Sequence, residues 1–487
     1  MKKLCLAVGF GLLLAGAEYA LAQDLDKVFD EFDKQQKASY EAFRSKADAQ
    51  FLEFLKETWQ KYEAFEPVAA PLRPEPPKPV QFDRSQPIPE PVKLKPLPIR
   101  KPEIPVQPEI VPTSPEPVQL SVPDPSDVAQ RIPVLFYGTS IPLDVKAVRE
   151  LKLHGISETQ VAEAWKEVCS QPYEQLLVDC MGAKEKLRLN DWGYLLLTKQ
   201  LGVQLYGEQE QDKISFLQMF ILAKSGYKIR LAKIDDHLKL MVATAETVYG
   251  VPYLRMDGDR YYVFQPDPKG STSLYTYKGN FADANQLVSL QITAVPLFEE
   301  KLTARQFKAK DFSQAVETEV NAHLMAFYAD YPQCSVAIHY HTPMSPKLRE
   351  RLYAQLRTLI QGKSETEAAN LLIHFVQTAF DYQTDGEQFG YEKPFFTDEL
   401  FYYPACDCED RAMLFSALVR DLLGLPVVLL DYPEHIAAAV KFPGSVRGDM
   451  VVLPNGDEYL ICDPTYIGAP IGRCMERFKK VSPEIIE

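Results

Sequence analysis

The chain has no surplus of basic residues: 53 Lys and Arg stand against 67 Asp and Glu, giving a formal charge of −14 at pH 7 and a pI near 5.2. Such a surface repels a phosphate backbone, and no basic patch with interleaved aromatics offsets it, so nucleic acid is excluded as an expected partner. Beyond the N-terminal segment there is no apolar run of the roughly 20 residues that a bilayer requires. Lys2 and Lys3, the apolar run from Leu4 to Leu14 and Ala20-Leu21-Ala22 before Gln23 read as a cleavable export signal, 1–22. The mature chain is therefore expected to be periplasmic or secreted, with no membrane span. Of eight cysteines, seven remain after that cleavage. An odd number excludes complete pairing within the chain, and Cys169 with Cys180 is the pair best placed for a local disulfide.

Between Gln23 and Phe65 there is neither Pro nor Gly, and aromatics come in pairs eleven residues apart: Phe29/Phe32, Tyr40/Phe43, Phe51/Phe54 and Tyr62/Phe65. Eleven residues make three turns at about 3.67 per turn, so the spacing predicts one long helix over 23–66 with a straight aromatic stripe. That stripe needs cover, from the protein's own body, from self-association or from a docking partner. From Pro67 to Pro125 the chain holds 19 of its 38 prolines. This linker, 67–126, is expected to be extended polyproline II, a semi-rigid spacer reaching on the order of 180 Å.

Two folded blocks follow, 127–300 and 301–487, each reading as α+β. In the first, Val134 to Tyr137 reads as a strand, Glu158 to Val168 and Trp192 to Leu205 as helices. A strand-rich stretch runs from Tyr227 to Leu297, including Arg260 to Phe264 and Leu287 to Thr293. In the second, a helix is expected at Phe312 to Tyr328 and a strand at Ser335 to Tyr340, with His339 and His341 on one face. Helices at Pro346 to Ile360 and Glu365 to Tyr382 come next.

The most informative stretch is Ala405-Cys406-Asp407-Cys408-Glu409-Asp410-Arg411, leading into an amphipathic run to Leu423 closed by Gly424. Asp407 suits a helix N-cap and Gly424 a C-terminal cap. Cys408 then lies in the first turn, where the macrodipole favours a thiolate. Val427 to Leu430 and Ile436 to Val440 read as strands flanking a turn, with His435 opening the second. Asn455-Gly456 signals a hairpin, and the strand Glu458 to Cys462 runs into Asp463-Pro464-Thr465. A nucleophilic Cys needs a base, and the base needs an orienting group; one helix start and two strands supply Cys408, His435 and Asp463, expected to meet within hydrogen-bonding reach. Zinc held by Cys406, Cys408, His435 and Cys462 is disfavoured. Cys-x-Cys is too tightly spaced, and strand alternation points Cys462 away from Asp463.

Asp407-Cys408-Glu409-Asp410-Arg411, Gly424-Leu425-Pro426, His435 and Asp463-Pro464-Thr465 together resemble the transglutaminase-like superfamily, in order and approximate spacing, over about 365–466. The resemblance implies a papain-like α+β fold with a Cys408-His435-Asp463 triad. It also implies acyl transfer on peptide or amide bonds through a thioester, with hydrolysis by a peptidase or amidase favoured over cross-linking, and neither cofactor nor metal. The chain departs from the family in carrying Cys406 where Gly is usual and Ile436 where an aromatic is usual, which bears on substrate contacts. The alternative function is a non-catalytic scaffold or binding protein that keeps the fold.

The first block repeats this pattern without its chemistry. Asp212-Lys213, Gly226, Asp236-His237, Asp257-Gly258-Asp259, Tyr261 and Pro266 each stand 198 residues before Asp410-Arg411, Gly424, Glu434-His435, Asn455-Gly456-Asp457, Tyr459 and Pro464. Cys408, however, falls on Glu210 and Asp463 on Gln265. A degenerate internal copy is expected over 127–300.

Overall fold

The computed structural model describes residues 41–42, 44–70, 79–85, 90–98, 131–264 and 273–487. The export signal, the pairs Phe29/Phe32 and Tyr40/Phe43, and Gln265 and Pro266 lie outside them. No helix among the described residues is long and apolar enough to cross a membrane.

The helix of the aromatic stripe ends earlier than its spacing predicts. Helix α1 covers 41–56 and gives way to a strand, β1 (Gln60–Glu63), so Tyr62 and Phe65 leave the stripe. Ala47, Phe51 and Leu55 recur every four residues and are buried, as is Trp59 just beyond the helix. The ring of Phe51 packs edge-on against Trp165, Tyr277 and Phe281 at 4.6, 5.5 and 5.8 Å. Asp48 of the same helix pairs with Lys224, whose ammonium lies 4.7 Å from the ring centroids of Tyr173 and Phe281. The described helical part of the stripe, Phe51 and Phe54, is thus covered by the chain's own first core.

Two short strands of the proline-rich arm, β2 (Val80–Gln81) and β3 (Lys93–Leu94), precede the first folded unit. That unit opens with the hairpin β4 (Arg131–Phe136) and β5 (Thr139–Asp144). Helices α2 (Glu158–Cys169), α3 (Glu174–Lys186), α4 (Asp191–Tyr206) and α5 (Gln211–Lys224) follow. A Ser157/Gln160 capping box starts α2, and the Asn190 side chain caps α4. Five strands complete the unit: β6 (Ile229–Ile234), β7 (His237–Ala243), β8 (Tyr253–Met256), β9 (Asp259–Val263) and β10 (Ser273–Thr276). Their sheet has the order β1-β10-β6-β7-β9-β8. Leu287 to Thr293 is not a strand; Val288 makes an isolated bridge to Thr244. Cys169 and Cys180 are both free thiols, Cys180 sealed in the core.

The second unit begins with the hairpin β11 (Leu302–Phe307) and β12 (Val316–Asn321), where a helix is expected from sequence, and α6 (Ala322–Ala329) is correspondingly shorter. Val316, Thr318 and Val320 are the buried members of a period-two alternation. The Ser335 hydroxyl accepts the Ala337 N–H and starts a helix, α7 (Val336–His341), in place of the expected strand. Then come α8 (Pro346–Ile360), α9 (Glu365–Ala379), β13 (Asp381–Tyr382), α10 (Asp385–Gln388), β14 (Ala405–Cys406) and α11 (Cys408–Leu423). The strands β15 (Val427–Tyr432), β16 (His435–Val440), β17 (Met450–Val452), β18 (Glu458–Cys462), β19 (Tyr466–Ile467) and β20 (Glu484–Ile486) end the chain.

The second sheet has the order β20-β15-β16-β18-β17-β3, which matches β10-β6-β7-β9-β8 strand for strand. The registers agree as well: Ile234 faces His237 as Tyr432 faces His435, and Val242 faces Tyr262 as Val440 faces Leu460. Both comparisons keep the 198-residue offset seen in the sequence. Strand β1, ahead of the arm, pairs with β10 at the edge of the first sheet, and within the arm β3 pairs with β17 and β2 with β19. Among the described residues of the arm, the short strands β2 and β3 are therefore docked on strands of the second unit.

Removing the Phe51 ring should leave a cavity in the first core. Phe51→Ala is expected to lower unfolding stability by about 3–5 kcal/mol, whereas Phe65→Ala, at a position 49% exposed, should cost well under about 1 kcal/mol. Denaturant midpoints measure both, and equal midpoints would contradict the docking of α1.

Candidate active site

Cys408 is the first residue of α11, reached through the parallel pair β13 and β14. Asp410, three residues after the N-cap Asp407, accepts the Asp407 N–H at 3.2 Å and the Phe395 N–H at 2.9 Å. One carboxyl thus starts the helix and pins the preceding loop to it. At the other end Gly424 takes φ 70°, the left-handed turn that releases the chain into β15. Cys408 is wholly buried, with its sulfur 3.1 Å from Glu409 Oε2. Arg411 is also buried and donates to the Phe380 carbonyl at 2.7 Å.

His435 begins β16 after the two-residue turn 433–434. Its Nε2 lies 2.9 Å from Asp463 Oδ2, with both side chains buried. A carboxylate only accepts, so Nε2–H donates and Nδ1 carries the lone pair. Asp463 is fixed in turn: its Oδ1 accepts the Thr465 N–H at 2.9 Å. The Gln377 amide of α9 donates to the carbonyls of Tyr466 and Ala469 at 2.9 and 3.0 Å, holding the loop beyond it. Phe478 stacks on the imidazole at 5.2 Å with an interplanar angle of 10°.

The third contact expected from sequence is not made. Nδ1 of His435 is buried without a hydrogen-bond partner among the described residues, so Cys408 and His435 are not hydrogen-bonded. Strand alternation explains the gap. His435 shares the face of Tyr432, Ala437 and Ala439, whereas α11 packs across the face of Ile436, Ala438 and Val440. Only three residues, 424–426, join α11 to β15, so the helix runs antiparallel to that strand. Its first turn therefore reaches the 432–435 end of the sheet, where the two faces meet. The first unit has the same meeting point: Asp212 of α5 accepts the Leu238 N–H at 2.7 Å and lies 3.6 Å from His237 Nδ1. There His237 is largely exposed, and Glu210 occupies the position equivalent to Cys408.

Buried acids crowd the start of α11. Burial, then Asp410 and Glu409, pushes Asp385 up to about 10. Asp407 and Asp410 also lie well above the usual carboxylate range, through burial and then Glu409. Carboxyls held neutral leave the positive end of the α11 dipole less opposed than the sequence suggests. Burial pushes the Cys406 thiol up to about 12, which sets it apart from a nucleophile. His339, whose ring stacks on Phe396 at 4.4 Å, is driven down to about 3 by burial and the Lys393 charge.

Two groups have ligand atoms within 4.8 Å of one another and could hold a metal: Asp407, Cys408 and Glu409, and Asp385, Glu392 and Glu409. The set Cys406, Cys408, His435 and Cys462 does not assemble among the described residues; Cys462 points its sulfur toward the Leu460 carbonyl. Sequence reasoning missed Glu409 against the sulfur, Asp385 in the acid cluster and Gln377 beneath the Asp463 loop. Only Glu409 carried a local signal, its adjacency to Cys408.

Asp398 tests how the acids are buried. Its carboxylate accepts the Ser345 N–H that opens α8 at 3.0 Å, and burial pushes it up to about 6. A raised carboxyl favours the fold below its unfolded value near 4, and that contribution disappears as pH rises from about 4 to 6. Asp398→Asn should therefore gain on the wild type by about 2–3 kcal/mol between pH 4 and pH 7, read from paired denaturation curves. A gain independent of pH would contradict it. Comparison of the chain with protein-family models, curated proteins and solved structures found no match.

Proposed function

We propose that the chain is an exported, cysteine-dependent acyl-transfer enzyme of the transglutaminase-like kind, acting on peptide or amide bonds, with hydrolysis favoured over cross-linking. The observation that carries this reading is the buried 2.9 Å bond from His435 to Asp463, which leaves Nδ1 unpartnered at the sheet end where Cys408 opens α11. An imidazole oriented by a carboxylate through one nitrogen has the other nitrogen to exchange a proton with a thiol. In this mechanism the Cys408 thiolate attacks the amide carbonyl and His435 protonates the leaving amine. Asp463 holds the tautomer and offsets the imidazolium charge. Water or an amine then takes the acyl group. Apo sites commonly hold such contacts long and close them on substrate.

On this reading the second unit is the catalytic domain and the first a duplicate that lost its nucleophile, as the shared strand order and register support. Reading 1–22 as an export signal supports a periplasmic or secreted location. The second reading, a scaffold that keeps the fold, is favoured by one observation: Cys408 and His435 are both fully buried.

The two readings separate by trapping the intermediate. The full mature chain is incubated with a mixed peptide library, with and without a primary amine, and quenched in acid. The enzyme reading predicts an acyl adduct on Cys408 that hydroxylamine removes and that Cys408→Ala lacks. Shortened peptides mark hydrolysis and amine-bearing peptides mark transfer. Neither adduct nor product would leave the scaffold.

A further inference from the structure

Tyr382 lies in β13, which pairs with the strand that leads to the start of α11, and its hydroxyl has no hydrogen-bond partner among the described residues. In the β13–β14 pair it stands opposite Cys406, and the next residue, Gln383, donates its N–H to the Cys406 carbonyl at 3.2 Å. The side chain therefore borders the turn from which α11 rises. Its hydroxyl is buried and lacks a hydrogen-bond partner among the described residues, while the Arg411 guanidinium lies 5.2 Å from its ring centroid. Leaving a buried donor unpaired is unfavourable, a cost the fold would shed with Phe. Three other tyrosines have buried, unpartnered hydroxyls: Tyr262, Tyr328 and Tyr432. The first two belong to the first core, and the charges acting on Tyr432 are those of Cys474, Asp463 and Asp449. For Tyr382, burial, and then the neighbouring Cys408, Asp407 and Glu409, raise the phenol pKa, so the group remains an O–H donor.

We propose that Tyr382 is a catalytic residue, its hydroxyl donating to the oxyanion formed when the Cys408 sulfur adds to a carbonyl. The proposal rests on the acyl-transfer reading of the same site. As the S–C bond forms, the carbonyl π pair moves onto oxygen, and the Tyr382 O–H meets that charge with the Cys408 backbone N–H as the second donor. As the pair returns, the C–N bond breaks, the amine leaves with the proton carried by His435, and a thioester remains. The phenol is intact throughout. A preorganised donor that bonds only to the developing charge accelerates the step without tightening substrate binding.

Two small reagents separate this role from nucleophile activation. Acylation of Cys408 by p-nitrophenyl acetate passes through a tetrahedral oxyanion and expels p-nitrophenolate. Alkylation by iodoacetamide displaces iodide with no oxyanion. Both rates are followed by mass spectrometry of the peptide carrying Cys408, in the full mature chain and in Tyr382→Phe. Acylation should slow by about 10²- to 10³-fold while alkylation keeps its rate, and the melting temperature of the variant should hold or rise. Equal slowing of both reactions, or slowing of neither, overturns the role of Tyr382 and leaves the acyl-transfer reading standing. A wild-type Cys408 inert to both reagents overturns that reading and the role of Tyr382 with it.

Discussion

The hydrogen bond between His435 and Asp463 is the interaction on which the second unit is organised. It closes a charged or chargeable pair away from water, an arrangement that is unfavourable unless each partner is held in place. The surrounding structure does that holding. The two-residue turn after β15 sets the ring at the sheet end, Phe478 lies flat on it, the Thr465 N–H fixes the carboxylate, and Gln377 anchors the following loop to α9. Helix α11 enters the same region from the opposite face because a three-residue connection leaves it no other direction. The thiol at the start of α11 and the imidazole at the start of β16 therefore approach from opposite faces of the sheet and make no hydrogen bond to each other.

The same architecture occurs twice in the chain and is used in two ways. In the first unit the hairpin of β6 and β7 carries His237 into solvent, with Asp212 for company and no thiol within the pattern. In the second the equivalent hairpin is capped by the segment around Phe478 and becomes dry. Polar chemistry gains strength in a dry site, and the acids around Cys408 register that dryness in their raised values. The arm belongs to this design too. β1, just ahead of the arm, extends the first sheet, and β2 and β3 of the arm pair with strands of the second unit. Asp449 is the buried knot: it accepts the N–H groups of Val92 in the arm and Cys474 near the capping segment, at 3.0 and 2.9 Å.

Much of the second unit was legible in the sequence because its signals are local. Asp407 and Gly424 bound α11, Asn455-Gly456 turns the hairpin, and the strands at 427–430, 436–440 and 458–462 fall where their apolar runs place them. Other elements hid their period. The run at 316–321 alternates Val, Thr and Val against Glu and Asn, a polar-looking strand taken for helix, while 336–341 has strand-forming residues that a single Ser335 cap turns into helix. Of the three residues expected from the sequence to meet, His435 and Asp463 do so. The missing Cys–His bond was not legible, because it depends on which sheet face the helix covers. Gln377 and Tyr382 were invisible for the same reason: each acts across a junction that no periodicity encodes.

The central claim is that Cys408 and His435 work as one acid–base pair. The alkylation rate of Cys408 with iodoacetamide, followed from pH 5 to pH 10 in the mature chain and in His435→Ala, tests it directly. The account predicts a thiol that reacts well below pH 8, and a reactive limb that moves to the pH of an ordinary thiol, near 8.5, when the imidazole is removed. Superimposable profiles for the two proteins would contradict it.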